Sequence, residues 1–416
     1  MEEPENIRTL EQTASDISQI FSVSSYHVSR RHFMKDLYQI RTVDASDIEV
    51  KKRHTPSTSF IQVQYPFSTN EELASNFVSV DKVNVRFGLI LNEMDALATD
   101  VGYKYVRTRK AGVRDNFRIV SAVVDRMDFF SKIKANQDFK MNGYVMYVAK
   151  SSLVVGIDFY SKKNDNWEFL GNASYILAAR TMDDKPYKVP QLSFKGELDL
   201  LKCKSRFEYG YHVQAESKAH KDASEYQHSP NDEEAEEIHN LLFSLHQQRQ
   251  LNLEERRAFV PVEKTVNNSY ILIQPQKNVF GDLASGGHIL REAYELSYIT
   301  CHLFCERQPF EFIGLDRLYY KLPVHLGSGY ELTSKVTYSD EEYFRVNTSL
   351  SNIVKPEDFN DTDMEGLGPN TPQNAEFNFT FRFPEGMGKR KRIMPANYDD
   401  ALVYLMNKRM LKKFLF

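Results

Sequence analysis

Two stretches of the chain place apolar residues at steps of three and four. In RFGLILNEMDALATDVGY they fall on Phe87, Leu91, Met94 and Ala98, and in SGGHILREAYELSYITCHLF the periodic positions are Ile289, Ala293, Leu296, Thr300 and Leu303. That spacing gathers each set on one face of a 3.6-residue turn, so each stretch is expected to be a helix with a buried face. Further along, the period changes to two. Leu153, Val155, Ile157 and Phe159 alternate with other residues, as do Phe377, Phe379, Phe381 and Phe383 in EFNFTFRF. Alternation turns every second side chain to the same side and predicts strands with one face on a core.

The two patterns occur in the same order twice. RFGLILNEMDALATDVGY is followed by VVDRMDFF and NGYVMYVAKSSLVVGIDFYS; SGGHILREAYELSYITCHLF is followed by GLDRLYYKL and GYELTSKVTYSDEEYFRVNTSL. Gly88-Leu89-Ile90-Leu91 matches Gly287-His288-Ile289-Leu290, and Asp125-Arg126-Met127 matches Asp316-Arg317-Leu318. A repeat of this length means two copies of one structural unit. One helix followed by hairpin-linked strands leaves a helix packed across an antiparallel sheet, an α+β arrangement. The expected organisation is a helical-looking arm over 1–56, around ISQIFSV and RRHFMKDLYQI, a first copy over 57–193, a charged linker with a helical segment over 194–256, and a second copy over 257–416.

Composition narrows the classes of function. Of 416 residues, 41% are hydrophobic and 26% charged, the balance of an ordinary globular protein. A net charge of -4 offers no general attraction for nucleic acid, and no apolar run approaches the roughly 18 residues that a spanning helix needs, so neither nucleic acid nor an integral membrane setting is expected. Three cysteines, Cys203, Cys301 and Cys305, imply no disulfide framework and favour a reducing compartment. The opening MEEPENIRTLEQ fits neither a secretory signal nor an Arg-rich mitochondrial presequence. No G-x-S-x-G elbow occurs, and Cys301, His302 and Cys305 on one helix make a poor metal set; no metal is expected.

Six segments in order, FIQVQYPF, VRFGLILNEMD, IVSAVVDRMD, NVFGDLASGGHILREAYEL, LDRLYYKLPVHLGS and NYDDALVYL, resemble the double-hotdog acyl-CoA thioesterases, most closely the mitochondrial acyl-coenzyme A thioesterase 9 and 10 group. The resemblance runs from about Ser57 to the C-terminus. It implies two tandem hotdog domains, each a long helix wrapped by an antiparallel sheet and paired as a pseudo-dimer within one chain. It also implies hydrolysis of fatty acyl-CoA to free acid and CoA with no cofactor beyond the CoA of the substrate, a homo-oligomer that is a trimer of such chains, and the mitochondrial matrix, with the cytoplasm as the alternative. The chain departs from the pattern in a single Gly88 where the second copy has Gly286-Gly287, and in one extra residue between Asn278 and that pair.

These residues have a chemistry that suits the reaction. A helix N-terminus offers unpaired N–H groups and the positive end of its dipole, able to polarise a thioester carbonyl and hold the oxyanion formed on attack. Gly286 and Gly287 permit close approach to that backbone, with His288 beside them, and Asn278 is placed to orient the attacking water. The plainer reading is that the glycines only allow tight helix entry. The resemblance assigns the base or nucleophile to a helix carboxylate of the other copy, and Asp95 holds that place, seven residues after Gly88, where the second copy has Tyr294. Beside an apolar stripe a charge is costly unless it has a task. Glu93 and Glu295 are the fallback carboxylates. Lys150, Ser151 and Ser152, at a hairpin turn, are candidates for the CoA phosphates or simply solvated turn residues. Asp125 and Asp316 fit a structural role. Two other functions stay open: a hotdog hydratase or dehydratase using His288, and a non-catalytic acyl-CoA binding or regulatory protein.

Overall fold

The structure, a computed structural model, describes residues 8–9, 54–107, 117–193, 204–215, 229–247, 259–274, 278–280, 283–316, 318–353, 373–383 and 390–415. The expected helical arm around ISQIFSV and RRHFMKDLYQI lies outside them, as do Cys203 and much of the expected linker. The chain divides into two compact units, residues 1–217 with 274–291, and residues 218–273 with 292–416.

In the first unit the helix-period segment forms α1, Phe87–Val106. It enters from Arg86, whose N–H is held by Phe77 O at 2.6 Å, and ends at Arg107 with basic Lys104 in its last turn, favourable at the negative end of the dipole. The sheet consists of β1 (Ile61–Tyr65), β2 (Phe117–Phe129), β3 (Phe139–Val148), β4 (Ser152–Lys163) and β5 (Asn166–Thr181), in the spatial order β1-β3-β4-β5-β2, antiparallel throughout, with Arg8–Thr9 parallel beside β1. The expected alternation holds: Leu153, Val155, Ile157 and Phe159 are fully buried. Only Phe87, Leu89 and Lys104 of the twenty α1 residues escape burial, so the helix is enclosed rather than merely amphipathic. Gly143 of β3 lets it lie close, since a Cβ there would come within 2.8 Å of Val101 Cγ2. Segment 204–215 forms a further helix on this unit: Arg206 pairs with Asp158 at 3.3 Å and lies 4.2 Å over the Tyr144 ring, and Phe207 and Tyr211 flank Tyr147.

The second unit repeats the plan. Its sheet is β6 (Asn267–Leu272), β7 (Glu311–Leu315), β8 (Gly329–Ser339), β9 (Tyr343–Asn352) and β10 (Gln373–Arg382), ordered β7-β10-β9-β8-β6 and antiparallel, with Leu318–Tyr320 also paired to β10. The second periodic segment forms a helix, Gly286–Phe304, whose residues through Arg291 group with the first unit and the remainder with the second. That remainder packs on the second sheet: Ser297 meets Thr348 Oγ1 at 2.6 Å, Thr300 donates to Ser334 Oγ at 3.0 Å, and Tyr294 packs edge-on against Phe312 and Phe379. Phe377, Phe379, Phe381 and Phe383 line the core as expected, whereas Leu303 is exposed and Phe304 takes the buried position in the last turn. Helices α2 (Asp232–Gln247) and α4 (Tyr398–Leu415), on either side of it in sequence as α3 (Gly286–Phe304), are joined by Lys408–Glu237 and Arg409–Glu234 ion pairs. A long helix on an antiparallel sheet, present twice, is the tandem hotdog α+β architecture that the resemblance implies.

Candidate active site

Five polar side chains, Asn92, Glu93, Asp95, Thr99 and Asp100, are carried into the interior by α1. A buried polar group must find partners or cost stability, and the partners of Asp95 define a site within the first unit. Its Oδ1 accepts the Ser121 hydroxyl at 2.6 Å, and its Oδ2 accepts the Gly287 N–H at 2.7 Å and the Ser285 hydroxyl at 3.3 Å. Burial raises the Asp95 pKa above the ordinary carboxylate value, while the bonds from Ser121, Gly287 and Ser285 pull it down; burial is the stronger effect. A carboxylate whose pKa is raised toward the working pH, and whose orientation is fixed by three donors, is suited to accept a proton.

The start of α3 explains why two glycines stand there. Asn278–Phe280 pairs antiparallel with Leu283–Ala284, with Ala284 opposite Asn278 and an irregular register between Leu283 and Ala284. The hairpin returns the chain so that the Asn278 backbone lies beside the residues that open the helix. Ser285 occupies the N-cap position, and its carbonyl takes the Ile289 N–H at 3.3 Å. A serine there commonly caps with its own oxygen; here its hydroxyl turns to Asp95, and the carboxylate caps Gly287 from 192 residues away in sequence. Negative charge at a helix N-terminus is favourable. Gly287 also has no room for a side chain: a Cβ would sit 2.6 Å from Asp95 Cβ and 3.1 Å from Asn92 O.

Asp95 and Gly287 are thus brought together, and Gly286 and His288 flank that contact, His288 being buried. The Asn278 side chain lies outside the described residues. Lys150, Ser151 and Ser152 form the β3–β4 turn, where Ser151 O accepts from Ala179 N, Lys150 O from Val189 N, and Ser152 Oγ donates to Gln214 at 3.2 Å. That turn adjoins Leu153, which lies by Gly102, seven residues beyond Asp95 and about 10 Å further along α1. The structure therefore does not place it at the carboxylate. Glu93, two positions from Asp95, points to another side of α1, where its charge bears on the Tyr65 phenol. Glu295 belongs to the second unit, as does Tyr294, the counterpart of Asp95, which is spent on aromatic packing. Cys301 and Cys305 are buried while His302 is exposed, and among the described residues no cluster of three metal-ligating side chains occurs. Asp316 pairs with the fully buried Arg345, which also donates to Asn407 at 3.0 Å, a structural contact.

Ser121 and Ser285 were missed by the sequence reading. Both left a trace: Ser285 directly precedes the helix, and Ser121 is the polar residue that follows Ile119 by two on a strand face turned inward.

No family model matches the chain. Acyl-coenzyme A thioesterase 9, mitochondrial, of Bos taurus is 24% identical over 417 residues, spanning 98% of this chain and 90% of that protein. Acyl-coenzyme A thioesterase 10, mitochondrial, of Mus musculus is 27% identical over 363 residues, spanning 85% and 77%. The chain is similar to these thioesterases along most of its length. The resemblance carried by the six sequence segments is borne out. Among solved structures, the 12:0-ACP thioesterase from Umbellularia californica aligns with a TM-score of 0.45 and 7% identity, covering 78% of this chain and 94% of that one.

Proposed function

We propose that the protein is an acyl-CoA thioesterase and that Asp95 is its general base. The observation that carries this reading is the buried carboxylate clasped by Ser121, Ser285 and the N–H of Gly287 at a helix start. Likeness to thioesterases 9 and 10 supplies the substrate class. Asp95 takes a proton from a water that Asn278 helps to orient; the water oxygen bonds to the thioester carbon, the carbonyl becomes an oxyanion, and its collapse breaks the C–S bond, with the proton held by Asp95 passing to the departing sulfur, so that CoA and the free acid leave and the carboxylate is restored. The helix N-terminus of α3 supplies positive potential where negative charge develops. Because Asp95 holds the Gly287 N–H, that donor serves the carboxylate first, and the thioester oxygen draws on other donors around it.

The names of both relatives include the mitochondrion, which supports that address, and the resemblance carried by the six sequence segments is the ground for an assembly of chains, a trimer. No helix among the described residues is long and apolar enough to cross a membrane. A double substitution tests the shared site. Asp95→Asn and Asn278→Ala should together cost less in turnover than the sum of the two singles, because groups serving one transition state are not additive. Half-active singles with a dead double would mean two separate centres. Tight acyl-CoA binding with no turnover in the wild type would establish the non-catalytic alternative.

A further inference from the structure

One buried hydroxyl beside Asp95 has no use among the described residues. Tyr175 on β5 is fully buried, and among the described residues its Oη finds no hydrogen-bond partner. Its position follows from the register. Leu177 of β5 stands opposite Ser121 of β2, whose hydroxyl holds Asp95, and Tyr175 is two residues further on, opposite Val124 of β2 and Val155 of β4. Leu177, Ile119 and Leu153 all lie against α1 at Gly102, so the alternate residues Tyr175, Ser121 and Val155 share the α1-facing side of the sheet. Tyr175 and Ser121 are therefore diagonal neighbours on adjacent strands, a separation that a tyrosine side chain spans.

We infer that Tyr175 is a catalytic residue whose hydroxyl donates to the carbonyl oxygen of the bound thioester and to the oxyanion that replaces it. The inference rests on the thioesterase reading and completes it. The Gly287 N–H is engaged by the carboxylate, so the developing oxyanion requires another donor, and Tyr175 is a buried donor on the same face with no other partner among the described residues. Leaving a buried hydroxyl unmet costs stability, a cost expected where a site is shaped for its ligand rather than for the fold. Burial first, and then the charge of Asp95, raise the Tyr175 pKa well above that of a free phenol, so the group remains a protonated donor at any working pH.

The test is Tyr175→Phe, read three ways. Thiol release from acyl-CoA should fall about 10²–10³-fold in kcat, the usual effect of deleting one oxyanion donor, and KM should rise with the loss of the bond to the ground-state carbonyl. The melting temperature should equal or exceed that of the wild type, since only an unmet hydroxyl is lost. Calorimetric binding of a ketone analogue, with CH2 in place of the thioester sulfur, should weaken at least about tenfold, whereas an alkyl-CoA thioether without a carbonyl should bind Y175F and wild type equally. Wild-type kcat in Y175F overturns the inference and leaves the thioesterase reading standing. A lower melting temperature overturns it by showing that the hydroxyl is used in the fold. If the wild type hydrolyses no acyl-CoA, the thioesterase reading falls and the analogues decide for Tyr175: selective loss of the ketone supports it, while equal affinities or no binding overturn it.

Discussion

Asp95→Asn separates the chemistry of the site from its architecture. The amide keeps the shape of the carboxylate, and its single oxygen suffices for the donor that cannot turn, the Gly287 N–H at 2.7 Å. The Nδ2 group then faces Ser121, whose hydroxyl can rotate and accept. One hydrogen bond is exchanged for a weaker one, about 1 kcal/mol, offset by removing a charge from a site where burial disfavours it. The fold should persist while turnover drops about 10²–10⁴-fold, equivalent to about 3–5 kcal/mol of lost transition-state stabilisation. Stability should also depend on pH in a defined direction. Because the folded pKa of Asp95 lies above the unfolded value near 3.9, its contribution is fully present below that value and is lost as pH rises through the folded pKa. The Asp95→Asn variant lacks this loss, so it and the wild type should differ least in acid, and the variant should gain relative stability above the carboxylate range. Circular-dichroism melts at several pH values, paired with thiol-release kinetics, measure both effects. Unchanged turnover in the folded variant would remove Asp95 from the mechanism.

Gly287→Ala should destabilise the protein in thermal melts, because the shift forced by a Cβ 2.6 Å from Asp95 Cβ, about 1–3 kcal/mol, exceeds the gain of about 1 kcal/mol in helix propensity; a more stable variant would contradict the close approach. Ser121→Ala removes a bond that lowers the Asp95 pKa, so the acid limb of the kcat/KM profile should move to higher pH, and an unmoved limb would show that the contact does not tune the base. Asp316→Asn leaves the buried Arg345 guanidinium without its counter-charge and should cost about 3–5 kcal/mol in denaturant unfolding, with KM unaffected; a near-neutral result would show that the pair adds no stability.

Periodicity conveyed the elements because burial imposes it: a helix enclosed by a sheet and strands with one inward face leave steps of three, four and two. It did not convey which residue at a helix end is covered, and Phe304 rather than Leu303 is buried because the last turn and its neighbours decide the facing. Asp95 stood out as a charge beside an apolar stripe. Ser121 and Ser285 did not, because their relation to Asp95 exists only after residues 26 and 190 positions away are folded together. The orphaned Tyr175 hydroxyl is likewise invisible in sequence, where a tyrosine in a strand is ordinary. Composition marked 204–215 as charged connecting chain and gave no sign that Arg206 would find both Asp158 and the Tyr144 ring.

Hydrolysis through Asp95 is settled by quantifying free thiol and free acid released when purified wild-type protein meets acyl-CoA of short to long chain, with Asp95→Asn in parallel. The wild type should release equal amounts of both products from at least one chain length, many per protein molecule, and the folded variant should lose about 10²-fold or more. No thiol release by the wild type from any chain length, or equal release by both proteins, would contradict hydrolysis through Asp95.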